Sequence, residues 1–65
     1  MEIKTWEARI EKRLTLMKLS KLTGISKTTL NDIENNKISP TIKQLENIAK
    51  ALDIKITDLF DSRYK

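Results

Sequence analysis

The 65-residue chain contains no cysteine and no histidine. Without cysteine, neither a disulfide nor a thiolate metal site can staple the fold. Without histidine as well, a zinc site would have to be built from carboxylates alone, which is unusual. The same two absences remove the commonest proton shuttle and the best nucleophile, so no enzyme activity, metal or cofactor is expected. With a single glycine there is no glycine-rich loop to cradle a phosphate, and one glycine with one proline argues against a turn-rich all-β fold. No apolar run approaches the roughly 18 residues that a membrane span needs. The N-terminus, MEIKTWEARIEKR, lacks the apolar centre of a signal peptide. The expected location is the cytoplasm, of a host cell if the gene is viral. Internal repeats, linkers and low-complexity segments are absent.

A chain this short makes one domain, here residues 1–65 with a core over about 5–60 and a short flexible C-terminal tail, DSRYK. Its stability has to come from a small apolar core and good local helix geometry. The formal charge is +4 and the isoelectric point about 9.6, which suits a polyanionic partner. Residues 1–25 carry six basic and three acidic groups, residues 26–40 two of each, and residues 41–65 five and four. The excess is therefore N-terminal, and there is no dense basic tail.

The stretch Leu19 to Glu34, LSKLTGISKTTLNDIE, carries the most information. It reads as two short amphipathic helices joined by a tight turn at Gly24. Leu19 and Leu22 supply the apolar face of the first, Leu30 and Ile33 that of the second, and Ile25 sits in the turn. Lys27, Thr28, Thr29, Asn31 and Asp32 are left facing outward, all able to hydrogen-bond base edges. A polar helix face presented from a tight turn is the arrangement that reads the DNA major groove.

Around this unit, Trp6, Ile10 and Leu14 recur at spacings of four and predict a first helix over about 5–14. Thr15 is the expected N-cap of the second helix, Gly24 its left-handed terminator and Ser26 the N-cap of the third. Asn35 and Asn36 should close that third helix, because asparagine tolerates positive φ. Ile38 is expected to plug a loop over 37–40. Thr41 and Gln44 fit a capping box for a fourth helix bearing Ile42, Leu45, Ile48, Ala49 and Leu52 on one face. Asp53 ends it, Ile54 covers the end, and Thr57 starts a short fifth helix over about 56–60.

Taken together these residues resemble the Cro and phage-repressor type of helix-turn-helix domain, the XRE family. The resemblance covers about Trp6 to Phe60. It rests on Arg9, Leu14-Thr15, Leu19, Thr23-Gly24-Ile25-Ser26, Leu30, Ile33-Glu34-Asn35, Pro40, the run IAKALDI at 48–54 and LF at 59–60. It implies an all-α, five-helix, lambda-repressor-like domain with the helix-turn-helix at helices 2 and 3. It further implies an ion pair between Arg9 and Glu34 that fixes the angle of the recognition helix.

By the family's pattern, bases are touched by Lys27, Thr28 and Thr29, with Asn31 or Asp32 one turn on. Lys27 would donate to guanine, Asn31 would pair with adenine, and Asp32 would accept from cytosine or filter sequences by repulsion. Phosphates would be held by Thr15, Lys18, Ser26, Asn36, Lys37, Thr41 and Lys43. Ile56, Leu59, Phe60 and Tyr64 are candidates for a dimer surface, with closure of the monomer core an equal alternative for Leu59 and Phe60.

Three positions depart from the family. Leu16 replaces a phosphate-clamping glutamine and puts an apolar group where DNA should lie, unless it packs against the first helix. Ser20 replaces an alanine and is expected to bond back to the preceding turn. Asn36 replaces a glycine. The leading expectation is a sequence-specific, double-stranded-DNA-binding transcriptional regulator, a repressor acting as a homodimer. The alternative is a protein-interaction module on the same fold, an antitoxin or an antagonist of another regulator, with Leu16 and Met17 as its docking patch.

Overall fold

A computed structural model describes residues 2–63 of the chain. Four α-helices run in order: α1 (Thr5–Glu11), α2 (Leu16–Thr23), α3 (Lys27–Glu34) and α4 (Ile42–Leu52). A 3-10 turn, Ile56–Leu59, follows in place of the expected fifth α-helix. The ends of the domain are tied by a feature that periodicity did not suggest. Strand β1 (Glu2–Ile3) pairs antiparallel with β2 (Phe60–Asp61), with Glu2 opposite Asp61 and Ile3 opposite Phe60. Lys4 N–H donates to the Leu59 carbonyl at 2.7 Å and carries the pairing one residue further. Among the described residues the domain thus comprises four α-helices, one 3-10 turn and a ribbon of two two-residue strands.

The helix boundaries follow from local side-chain chemistry. Thr15 Oγ1 accepts from Lys18 N–H at 3.1 Å, Ser26 Oγ accepts from Thr29 N–H at 3.1 Å, and Thr41 Oγ1 accepts from Gln44 N–H at 3.0 Å. Each bond satisfies one of the donors that a helix start leaves without an intrahelical partner. The Gln44 Oε1 reciprocates with Thr41 N–H at 2.9 Å, completing the capping box. At the other ends the chain turns left-handed: Gly24 has φ +75° after α2, Asn36 has φ +59° after α3, and Asp53 has φ +55° at the end of α4. Asn36 therefore does the conformational work of the family's glycine.

Leu19 of α2, Leu30 of α3, Leu45, Ile48, Ala49 and Leu52 of α4, and Leu59 of the 3-10 turn form one buried cluster. Ala8, Leu14, Leu16, Ile25, Ala51, Ile54, Ile56 and Phe60 pack around it. Ile33 is fully buried as well. Full burial of each large aliphatic side chain contributes roughly 1.5–3 kcal/mol, and that driving force holds the short helices together.

Several expected inward residues lie on the surface instead. On α1 the inward stripe is Thr5 and Arg9, one position earlier than Trp6 and Ile10, which are exposed. The helix also stops at Glu11, with Arg13 at φ +57° turning the chain before Leu14. Leu22, Ile38 and Ile42 are exposed, so Ile38 is no plug and the buried face of α4 starts at Leu45. Leu59 is fully buried, which removes it from any dimer surface; Ile56 and Phe60 are half-buried. Tyr64 lies outside the described residues. The 3-10 turn is flanked by Lys55, whose N–H donates to Asp58 Oδ2 at 3.3 Å, so Asp58 rather than Thr57 serves its start.

Candidate nucleic-acid interface

The turn between α2 and α3 is locked by short polar bonds. Gly24 N–H donates to the Ser20 carbonyl at 2.9 Å. Thr23 Oγ1 donates to the Leu19 carbonyl at 2.8 Å and accepts from Ile25 N–H at 3.1 Å. Ser20 does not bond back along its helix; its hydroxyl reaches forward to the Ile25 carbonyl at 2.6 Å. A serine in place of alanine thus adds a strut across the turn, because the Ile25 carbonyl lies between the two helices and offers a lone pair there.

The angle of α3 is set from α1. Arg9 Nε meets Glu34 Oε2 at 2.7 Å and Arg9 Nη2 meets Glu34 Oε1 at 3.1 Å. Arg9 Nη1 donates to the Leu14 carbonyl at 2.7 Å. One guanidinium therefore clamps the last residue of α3 and the chain entering α2. The two side chains are only 10% and 4% exposed, so water screens the pair little. A planar guanidinium makes this two-pronged contact; a lysine could not.

With Leu30 and Ile33 buried, α3 presents Lys27, Thr28 and Asn31 to solvent. Thr29 and Asp32 are half-buried. The Thr29 hydroxyl accepts from Ser26 Oγ at 2.8 Å, and Asn35 Nδ2 donates to Asn31 Oδ1 at 3.2 Å. Lys27, Thr28 and Asn31 are thus the more available members of the set read from sequence, while Thr29 also buttresses the cap. Thr15, Lys18, Ser26, Asn36, Lys37, Thr41 and Lys43 are all exposed around this helix.

The starts of α2, α3 and α4 share one property that hydrophobic periodicity does not show. None of α2, α3 and α4 has an acidic residue in its first turn. Each instead joins a hydroxyl cap to a lysine within three residues: Thr15 with Lys18, Ser26 with Lys27, Thr41 with Lys43. Cations at a helix start oppose the helix dipole, an effect of roughly 0.3–1 kcal/mol each. By contrast, α1 and the 3-10 turn carry Glu7 and Asp58 in their first turns, the ordinary arrangement. A lysine at a helix start disfavours the isolated helix but suits an anion placed there.

Beside Lys27 lies a shallow depression of about 440 Å³ lined by Arg9, Thr15, Leu16, Met17 and Lys27. Leu16 rests one side on the core, and Met17 is 59% exposed. No helix among the described residues is long and apolar enough to cross a membrane.

Residues 7–59 match the family model described as helix-turn-helix. Over 58 residues the chain is 33% identical to the HTH-type transcriptional regulator SinR of Bacillus subtilis (strain 168). That match covers 88% of this chain and 52% of the relative, so the chain spans about half the length of the curated protein it matches. Among solved structures, the N-terminal DNA binding domain of SinR from Bacillus subtilis is similar with a TM-score of 0.80 at 31% identity. This likeness covers 94% of the present chain and 90% of the other. The chain belongs to the XRE-type helix-turn-helix family.

Proposed function

We propose that this chain is a sequence-specific DNA-binding transcriptional regulator, a repressor, that lays α3 in the major groove of double-stranded DNA. The observation that carries the reading is the trio of helix starts, α2, α3 and α4, each with a hydroxyl cap, a lysine and no carboxylate. The lysines disfavour the free protein, so the arrangement makes physical sense against DNA, with phosphates beside Lys18 and Lys43 and base edges beside Lys27. Lys27, Thr28 and Asn31 then face base edges, Thr29 and Asp32 flank them, and Thr15, Lys18, Ser26, Asn36, Lys37, Thr41 and Lys43 hold the backbone. Membership of the family and the likeness to a domain titled as DNA-binding support the same assignment.

The active form is a two-fold dimer on a palindromic site, with recognition helices about 34 Å apart. Ile56 and Phe60, at the C-terminal end of the core, are the apolar groups offered to the second copy. The protein acts in the cytoplasm, where bacterial or phage DNA is reached directly.

Binding of a fluorescent mixed-sequence duplex at increasing salt tests the reading. Each phosphate contact contributes about 0.9 to the slope of log affinity against log salt. A slope equivalent to several contacts is expected, and no binding at low salt would refute it. A second reading, a protein-interaction module, is favoured by one observation: Trp6 and Ile10 stand exposed one turn apart on α1, away from the buried Thr5–Arg9 stripe. Apolar association through that face would be insensitive to salt.

A further inference from the structure

The depression beside Lys27 has an unusual chemical make-up for a surface that faces a polyanion. Part of its polar lining is engaged within the fold. Arg9 spends Nε and Nη2 on Glu34 and Nη1 on the Leu14 carbonyl. The Thr15 hydroxyl accepts from Lys18 N–H. Beside them lie the apolar surface of Leu16 and Met17 and, at one edge, the Lys27 ammonium. The site therefore sets the Lys27 ammonium next to a patch that gains by being covered.

On the assignment of α3 as the reading helix, on which this inference rests, Lys27 opens the helix that enters the groove. A base edge that fits must place an acceptor beside an apolar group. Thymine alone does so in the major groove, with its O4 acceptor and C5-methyl; cytosine puts an N4 donor toward the lysine, and guanine has acceptors without a methyl. We propose that Leu16 and Met17 form a thymine-methyl pocket, and that Lys27 donates to O4 of the same base. Leu16 thus replaces a polar phosphate contact with a specificity contact, and Lys27 selects thymine rather than the guanine its side chain alone would suggest. The charge of Lys27 and the continuity of the patch with the outer face of α3 favour DNA as the occupant over an apolar peptide.

The test uses the full chain and the duplex it enriches from a random pool. Thymines of the half-site are replaced one at a time by deoxyuridine, which lacks only the methyl. Loss of one buried methyl corresponds to about a fourfold weaker affinity. We expect that loss at one thymine contacted from the start of α3, with no rescue by 5-methylcytosine, whose N4 donor opposes Lys27. Met17→Ala and Leu16→Ala should bring the thymine-to-deoxyuridine ratio at that position close to one. Met17 is 59% exposed, so its truncation leaves the core intact even if Leu16→Ala disturbs folding. Equal affinity for thymine and deoxyuridine at every position overturns the pocket while leaving DNA reading in place. So does full discrimination retained by Met17→Ala. Failure to bind any duplex overturns the DNA assignment itself, and the pocket with it.

Discussion

Arg9 and Glu34, twenty-five residues apart in the chain, meet through two parallel contacts of 2.7 and 3.1 Å with little of either side chain exposed. The third guanidinium nitrogen holds the Leu14 carbonyl at the entry to α2. The consequence is that α3 is oriented by α1 rather than by the turn alone.

Glu34→Ala leaves a buried guanidinium without its counter-charge. Breaking such a pair costs about 3–5 kcal/mol, a large share of the stability of so small a domain. Replacing both partners by apolar residues of similar volume should recover much of that loss. Urea unfolding followed by circular dichroism measures both; an unchanged midpoint for Glu34→Ala would mean that the pair contributes nothing.

The Thr5 hydroxyl is buried, and Oγ1 has no hydrogen-bond partner among the described residues. Valine has nearly the same shape without the polar atom. Thr5→Val should therefore raise stability, by about 1 kcal/mol if the hydroxyl is fully desolvated. A lower melting temperature would show that the hydroxyl is satisfied in solution.

How much of this was legible in the sequence depended on how local the cause was. Thr15, Ser26, Thr41 and Gln44 cap helices through bonds spanning three residues, and Gly24 ends α2 by its own backbone freedom, so those boundaries could be read directly. The phase of α1 could not. Apolarity pointed to Trp6 and Ile10, but the buried stripe contains a threonine and an arginine, because Glu34 far along the chain neutralises Arg9. The β1–β2 ribbon joins the two ends through backbone bonds that impose no side-chain pattern on two residues. For Leu59 both core and dimer surface stood open in the sequence, and its burial was decided by where α4 returns. In the candidate interface, the reading set on α3 followed from Leu30 and Ile33 turning inward. The recurrence of cap and lysine at three helix starts was written in the sequence, but became meaningful once those starts were fixed in the structure.

Two left-handed positions should respond in opposite directions. At Gly24, φ is +75° and an added Cβ meets nothing within 4 Å, so Gly24→Ala carries only a backbone penalty of about 1–2 kcal/mol. Asp53 adopts φ +55° with a Cβ already present, and Asp53→Gly should stabilise by up to about 1 kcal/mol. Thermal melts of both variants check the pair. A Gly24→Ala loss well above that range would indicate a steric clash as well.

The lysines at the helix starts should show a trade between stability and binding. Lys18→Gln and Lys43→Gln remove a cation from the positive end of a helix and should each stabilise the free protein by roughly 0.3–1 kcal/mol. The same changes should weaken binding to all duplexes alike and lower the salt slope by about one for each phosphate contact removed. Loss of stability together with unchanged DNA affinity would assign both lysines a structural role.

The most direct measurement is selection from a random double-stranded DNA pool at two salt concentrations. A palindrome enriched at low salt and lost at high salt, its half-sites one helical turn of about 10–10.5 base pairs apart, is the outcome required of a dimer that reads DNA through α3. No enriched sequence at either concentration would contradict that account and leave the exposed apolar face of α1 as the functional surface.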